Sequence, residues 1–124
     1  MKYKKKLKSL GNSFRYAGQG VWSSFKSERN MKIHVLMMIF VVIFGFLLDI
    51  SLGEWIVCII LFSLVIGAEL FNTAIEAVVD MISLEKSSQA KLAKDISAGA
   101  VLVFAIASAI VGLIIFVPKI LELF

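Results

Sequence analysis

The stretch WIVCIILFSLVIGAELFNTAIEAVVDMISL, residues 55–84, decides how this chain folds. It is apolar over its first half and free of proline, so it reads as one helix of about 45 Å at 1.5 Å per residue. A bilayer's hydrocarbon core is about 30 Å thick, so one end of this helix projects into water. Past its middle the apolar pattern carries Glu69, Asn72, Glu76 and Asp80. Separations of three, four and four residues put all four on one face within about 80°, stacked along about 16 Å.

The surrounding chain is of the same character. Of 124 residues, 60% are hydrophobic and 18% charged, too apolar a balance for an ordinary soluble domain. The expectation is a single-domain, all-α membrane protein. Disordered, collagen-like, disulfide-knotted and zinc-ribbon classes are excluded; one cysteine, Cys58, and one histidine, His34, can build neither a disulfide nor a zinc site alone. The spans are expected at about 31–48, 55–82 and 96–117. In the first, Ile33–Leu48 is completed by Met31 and the stem of Lys32. Asp49, Ser51, Gly53 and Glu54 read as a tight acidic turn, Ser83–Lys94 as a polar segment with Lys86, Lys91 and Lys94, and Pro118 as the stop of the third span. Before the spans, Leu7, Leu10, Phe14, Ala17, Val21 and Phe25 recur every three or four residues, predicting an amphipathic surface helix over about 5–28. Gly18 and Gly20 weaken it by roughly 1 kcal/mol each, inviting a kink or a close approach there.

Charge orients the spans. Residues 1–32 hold nine Lys/Arg against one acid, Glu28, none lies between spans one and two, and three lysines lie between spans two and three. The positive-inside rule then puts the amino terminus, the 83–95 segment and the projecting end of span two in the cytoplasm. A basic head followed by a long apolar run, without a recognition motif, speaks against nucleic acid and for anionic headgroups.

A ridge of acids at membrane depth needs compensation, at about 2.5 to 3.5 kcal/mol per acid near the bilayer centre. Lys94, Lys91, Arg29 or Lys32 pairing with Glu69, Glu76 and Asp80 is the purely structural reading. A divalent metal held by carboxylate oxygens is the chemical one. Glu28, Asn30 and Lys32 at the entry to span one, and Lys94, Asp95 and Ser97, with Gly99 nearby, at the opening of span three, stand at the same depth. Carboxylates for metal, a base and phosphate-binding cations then meet where lipid headgroups meet cytosolic solutes, which is a kinase inventory. No soluble nucleotide-binding motif is present. His34 reads as an interfacial packing or hydrogen-bonding group, Met31, Met37 and Met38 as apolar filler, Trp22 and Trp55 as interfacial anchors. The small residues Ala98, Gly99, Ala100, Ala105, Ala107 and Ser108 favour close helix packing. A small transporter or channel subunit also carries intramembrane acids, and a holin-like pore needs only the hydrophobicity.

Glu69-Leu-Phe-Asn72-Thr-Ala-Ile-Glu76-Ala-Val-Val-Asp80 resembles the signature of the small prokaryotic diacylglycerol kinase family, and Lys94-Asp95-x-x-Ala-Gly-Ala its second motif. Glu28-Arg-Asn-Met-Lys-Ile-His34 and Gly112-Leu-Ile-Ile-Phe-Val-Pro118-Lys look like the Gram-positive branch, whose members act as undecaprenol kinases. The resemblance implies a homotrimeric integral membrane kinase that moves the γ-phosphoryl of Mg-ATP to a lipid alcohol at the cytoplasmic interface. That alcohol is undecaprenol, with diacylglycerol as the alternative. It further implies Glu69 as general base with Asn72 and Gly99 at the lipid alcohol, Glu28 and Glu76 as magnesium ligands, and Tyr16, Glu28, Glu76, Asp80, Lys94 and Asp95 around the nucleotide. Phe14 and Arg15 stand where the family has small residues.

Overall fold

The computed structural model describes residues 1–83, 85 and 87–124. Leu84, where the second helix pattern was read to end, and Lys86 of the polar segment lie outside the described residues. Four helices follow in order: α1 (Lys2–Ser27), α2 (Arg29–Leu47), α3 (Leu52–Ile82) and α4 (Ser88–Leu121), with no strand among the described residues. The last three are each long and apolar enough to cross a membrane. Little of any one is buried within a single chain, and Phe46 (74% exposed) and Phe71 (75%) stand outward with many other large apolar side chains. Water would not tolerate that much unpartnered apolar surface.

The α2–α3 connection is shorter than the sequence suggested. Asp49 is left-handed (φ 52°), and Ile50 N–H and Asp49 N–H bond back to Gly45 O (3.1 Å) and Phe46 O (3.4 Å), closing α2 in a Schellman motif. Gly53 and Glu54, read as turn residues, belong instead to the first turn of α3. Ser51 Oγ accepts from Glu54 N–H (3.2 Å) and Glu54 Oε1 accepts from Ser51 N–H (2.9 Å), a capping box that starts the helix three residues before Trp55. The Trp55 indole lies on α2, in a tilted contact with Phe46 (4.9 Å between centroids), over Gly45, where a side chain would collide with the indole.

Two expectations at α4 are corrected. The polar segment is not a loop to residue 95: Ser87 Oγ accepts from Ala90 N–H (3.0 Å), and Ser88–Asp95 form the first two turns of the helix. Nor does Pro118 stop it; α4 continues to Leu121 and absorbs the loss of the one backbone bond, to Ile114 O, that the proline cannot make. Ion pairs tie α3 to α4 at both ends, Lys119 Nζ to Glu54 Oε1 (3.3 Å) and Lys94 Nζ to Asp80 Oδ1 (2.6 Å), so the two long helices run antiparallel. Ile50 of the α2–α3 connection, Cys58 of α3 and Ile115 of α4 form a small buried cluster.

Glu28 alone separates α1 from α2, serving as the C-cap of one and the N-cap of the other. The elbow is anchored by buried Ser24, whose hydroxyl lies 3.4 Å from Thr73 Oγ1 of α3. The rest of α1 stands away from the bundle with Leu7, Leu10, Phe14 and Val21 exposed. It passes through Gly18 and Gly20 as one helix, and no atom lies within 4 Å of a side chain placed at either, so no close approach occurs there within the chain.

Candidate functional site

The ridge of α3 does not end up uniformly wet. Successive helical turns carry its residues from the interior, where α2 and α4 close over the helix, to an outer end flanked by the first turns of α4. Glu69 is 1% exposed and Asn72 6%, Glu76 is half-buried, and the Asp80 side chain is 66% exposed. Their surroundings therefore differ although their spacing is regular.

Glu69 is the group least provided for. Both its carboxylate oxygens are buried and neither accepts a hydrogen bond from the described residues. The nearest nitrogen-bearing side chain is His34 of α2, whose Nε2 stands 3.5 Å from Oε2, at the edge of hydrogen-bond reach. Because a buried polar group without partners is costly, such an exception calls for a functional reason. Glu69 lines a cavity of about 250 Å³ together with His34, Asn30, Asn72, Val101 and Ala105. A second cavity of about 440 Å³ continues from His34 and Ala105 between α2, α3 and α4. Met37, Met38, Phe62 and Phe116 are among its walls, and the only hydroxyl there, Ser108 Oγ, is spent on Phe104 O (2.8 Å). A chamber holding a carboxylate that accepts no hydrogen bond among the described residues thus adjoins an apolar groove, with His34 and Ala105 in both walls.

Asn72 is fixed from both sides. Ser97 Oγ of α4 donates to Asn72 Oδ1 (2.7 Å), and Asn72 Nδ2 donates to Glu76 Oε1 (3.3 Å), a relay from α4 to the half-buried carboxylate. Thr73 Oγ1, next to Asn72, donates to Glu69 O (3.0 Å) and reaches Ser24, so the elbow at Glu28 is registered on the same two turns of α3. Glu28 makes no side-chain cap bond, leaving its carboxylate free of the local task that residues at helix starts usually perform.

Of the residues picked out from the sequence, the structure gathers Glu69, Asn72 and Glu76 on one run of α3, and joins Asp80 to Lys94 across the outer end of the ridge. Asp95 instead pairs with Lys91 one turn back on α4 (2.6 Å), both exposed. Tyr16 is exposed on α1, in contact with Arg15, whose guanidinium lies 5.2 Å over its ring. Gly99 is not part of either cavity wall, which is built from its neighbours Ala98 and Val101, and a side chain at Gly99 would meet nothing within 4 Å. The structural reading of the ridge holds only at its outer end, since Lys94 takes Asp80 while no lysine or arginine reaches Glu69 or Glu76 among the described residues. The sequence placed Ser97 with Lys94 and Asp95 at the opening of span three without giving it a task, and read His34 as an interfacial packing or hydrogen-bonding group outside the site. Their signal was faint: His34 lies one turn beyond Asn30, and Ser97 three residues beyond Lys94.

A resident magnesium ion asks for hard oxygen ligands, usually one or two carboxylates completed by water and substrate phosphates. No group of three His, Cys, Asp or Glu side chains gathers among the described residues. The uncommitted Glu28 carboxylate and Glu76, which accepts a single bond from Asn72, match that sparse donor set.

The profile described as prokaryotic diacylglycerol kinase matches residues 15–116. The undecaprenol kinase of Bacillus subtilis (strain 168) is 43% identical over 117 residues, covering 94% of this chain and 95% of that protein. The diacylglycerol kinase of Synechocystis is 41% identical over 112 residues, 90% of this chain and 64% of its own length. That of Pseudomonas aeruginosa is 37% identical over 94 residues, 76% of each protein. With α2, α3 and the ridge from Glu69 to Asp80 wholly inside the match, the chain belongs to the prokaryotic diacylglycerol kinase family.

Proposed function

We propose that this protein is a membrane lipid kinase that transfers the γ-phosphoryl group of ATP to the hydroxyl of undecaprenol. The observation that carries the reading is Glu69, a buried carboxylate that accepts no hydrogen bond among the described residues and has only the His34 imidazole near it, on the wall of a chamber adjoining an apolar groove. In this reading the alcohol's chain occupies the groove and its hydroxyl reaches Glu69. The carboxylate takes the hydroxyl proton, the oxygen attacks the γ-phosphorus, and the bond to the β-γ bridging oxygen breaks so that ADP leaves. Phosphoryl transfer requires little else of a protein than in-line placement and charge neutralisation. Asn72, held by Ser97, orients the Glu76 carboxylate beside the chamber. Glu28 and Glu76 would hold magnesium, which when bound neutralises charge on the ATP phosphates. Lys94 and Asp80 stand about 16 Å nearer the helix end than Glu69, the depth at which the nucleotide enters from water.

The groove favours undecaprenol over diacylglycerol. Beyond His34 it offers no uncommitted hydroxyl or amide side chain, so ester groups next to an acceptor hydroxyl would lose their water without replacement. A polyprenol has only hydrocarbon there. The relatives point both ways, the Bacillus subtilis protein to undecaprenol and two others to diacylglycerol.

The whole chain works in this reading as one kinase unit in the plasma membrane. Its amino terminus and site are cytoplasmic, on the evidence of the nine basic residues ahead of span one. The exposed stripe of α1 lies along the headgroups. The unpartnered apolar faces of α2–α4 support a homotrimer, in which neighbouring copies can bring Tyr16 and Asp95 toward the nucleotide. The deciding experiment offers purified protein in mixed micelles labelled ATP with each lipid alcohol in turn. Labelling of undecaprenol is expected. Preferential labelling of diacylglycerol would reverse the choice of acceptor, and labelling of neither would remove the kinase reading.

A further inference from the structure

His34 is the chain's only histidine, and its position is unlike that of any other polar side chain in the spans. From α2 the apolar groove is lined by residues 34, 37, 38 and 41, the i, i+3, i+4, i+7 row of one helix face. Three of these are Met37, Met38 and Val41; the fourth, at the end nearest Glu69, is an imidazole. Packing alone would be served by a fourth apolar residue, as the methionines of the same helix show. The same imidazole also borders the polar chamber, with its side chain 18% exposed and Nε2 3.5 Å from Glu69 Oε2. It therefore stands where hydrocarbon gives way to the carboxylate.

We propose that His34 is the positioning residue of the acceptor site. Nε2–H donates toward Glu69 Oε2 and fixes the carboxylate plane, leaving Oε1 for the incoming hydroxyl, while the ring edge sets the depth at which the apolar chain ends. A neutral imidazole with its proton on Nε2 meets this requirement, since each ring nitrogen is either donor or acceptor. Glu69 has no other donor among the described residues to hold its orientation, so losing this one frees the carboxylate to rotate out of line. This inference rests on Glu69 acting as the base in the proposed transfer.

Two measurements on the full chain in micelles, without a histidine tag, test it. First, with ¹⁵N-labelled histidine, a single pair of imidazole signals arises, and Glu69→Gln is expected to shift the Nε2 signal. An unchanged signal overturns the contact whether or not the protein transfers phosphate. Second, His34→Leu is expected to lower kcat about tenfold or more with the KM for ATP within about twofold, as for a misplaced catalytic group. His34→Gln, whose amide can present an N–H near the Nε2 position, should recover most of that loss. Wild-type kcat in His34→Leu, or His34→Gln no better than His34→Leu, overturns the positioning role. If the unaltered protein labels no lipid alcohol, the kinase reading and with it the positioning role fall, while the ¹⁵N comparison still decides the contact.

Discussion

Removing the Ser97 hydroxyl tests whether the relay from α4 to Glu76 is a working part of the site. Ser97→Ala leaves Asn72 Oδ1 without the 2.7 Å bond it now accepts, in a residue 6% exposed, with Ser97 itself 7% exposed. A buried acceptor stripped of its donor costs about 1–3 kcal/mol in water-soluble proteins. Measured hydrogen-bond couplings between membrane helices average about 0.6 and reach about 1.7 kcal/mol, because the unfolded reference also finds partners. The short distance and near-complete burial place this bond in the upper part of the membrane range, at about 1–1.5 kcal/mol. The assay is reversible unfolding of the protein in mixed micelles by added SDS, run on Ser97→Ala, Asn72→Ala and the double variant. The cycle isolates the pair, since the bond from Asn72 to Glu76 is lost equally in both variants that lack Asn72. A coupling of about 1 kcal/mol is expected, with Ser97→Thr, which keeps the hydroxyl, close to wild type. Additive losses, with a coupling near zero, would refute the claim that Ser97 holds Asn72. If the coupling is present, kcat should also fall in Ser97→Ala, since the Asn72 amide then no longer presents a fixed edge to Glu76.

Other expectations follow from the same geometry. Glu69→Gln should abolish phosphoryl transfer while leaving ATP binding intact, measured by turnover and by nucleotide titration; rates near wild type would remove the proposed base. Glu76→Gln should raise the magnesium concentration needed for half-maximal rate, read from a magnesium titration at fixed ATP. Gly45→Ala should destabilise the bundle by about 1–3 kcal/mol, the usual cost of overpacking, because its methyl would fall 2.6 Å from the Trp55 ring. SDS unfolding would show this, and Trp55→Leu in the same background should relieve it.

The helices were legible because their causes are local. The apolar runs of α2, α3 and α4 leave a spanning helix as the only arrangement that satisfies every backbone group in lipid. The mistakes came where a side chain acts on its neighbours' backbone. Ser51 and Glu54 look like turn residues by composition yet close a capping box, and Ser87 starts α4 inside what reads as a polar loop. Pro118 looks like a stop, yet α4 runs through it to Leu121, and Pro118 O still accepts from Glu122 N–H. Of the ridge, the sequence specified membership through its three- and four-residue spacing. It could not rank the members, since burial depends on how far α2 and α4 extend over each turn.

By itself, then, the amino-acid order determined an all-helical membrane chain with Glu69, Asn72, Glu76 and Asp80 on one helix face, since a periodicity of 3.6 residues and a hydropathy profile are properties of contiguous residues. Only the tertiary structure decided that Glu69 is the buried, unpartnered member, that Lys94 is taken by Asp80, and that His34 and Ser97 face this ridge. Those facts join residues 14 to 35 positions apart in the chain. Such pairings depend on how three helices pack, which no local pattern encodes.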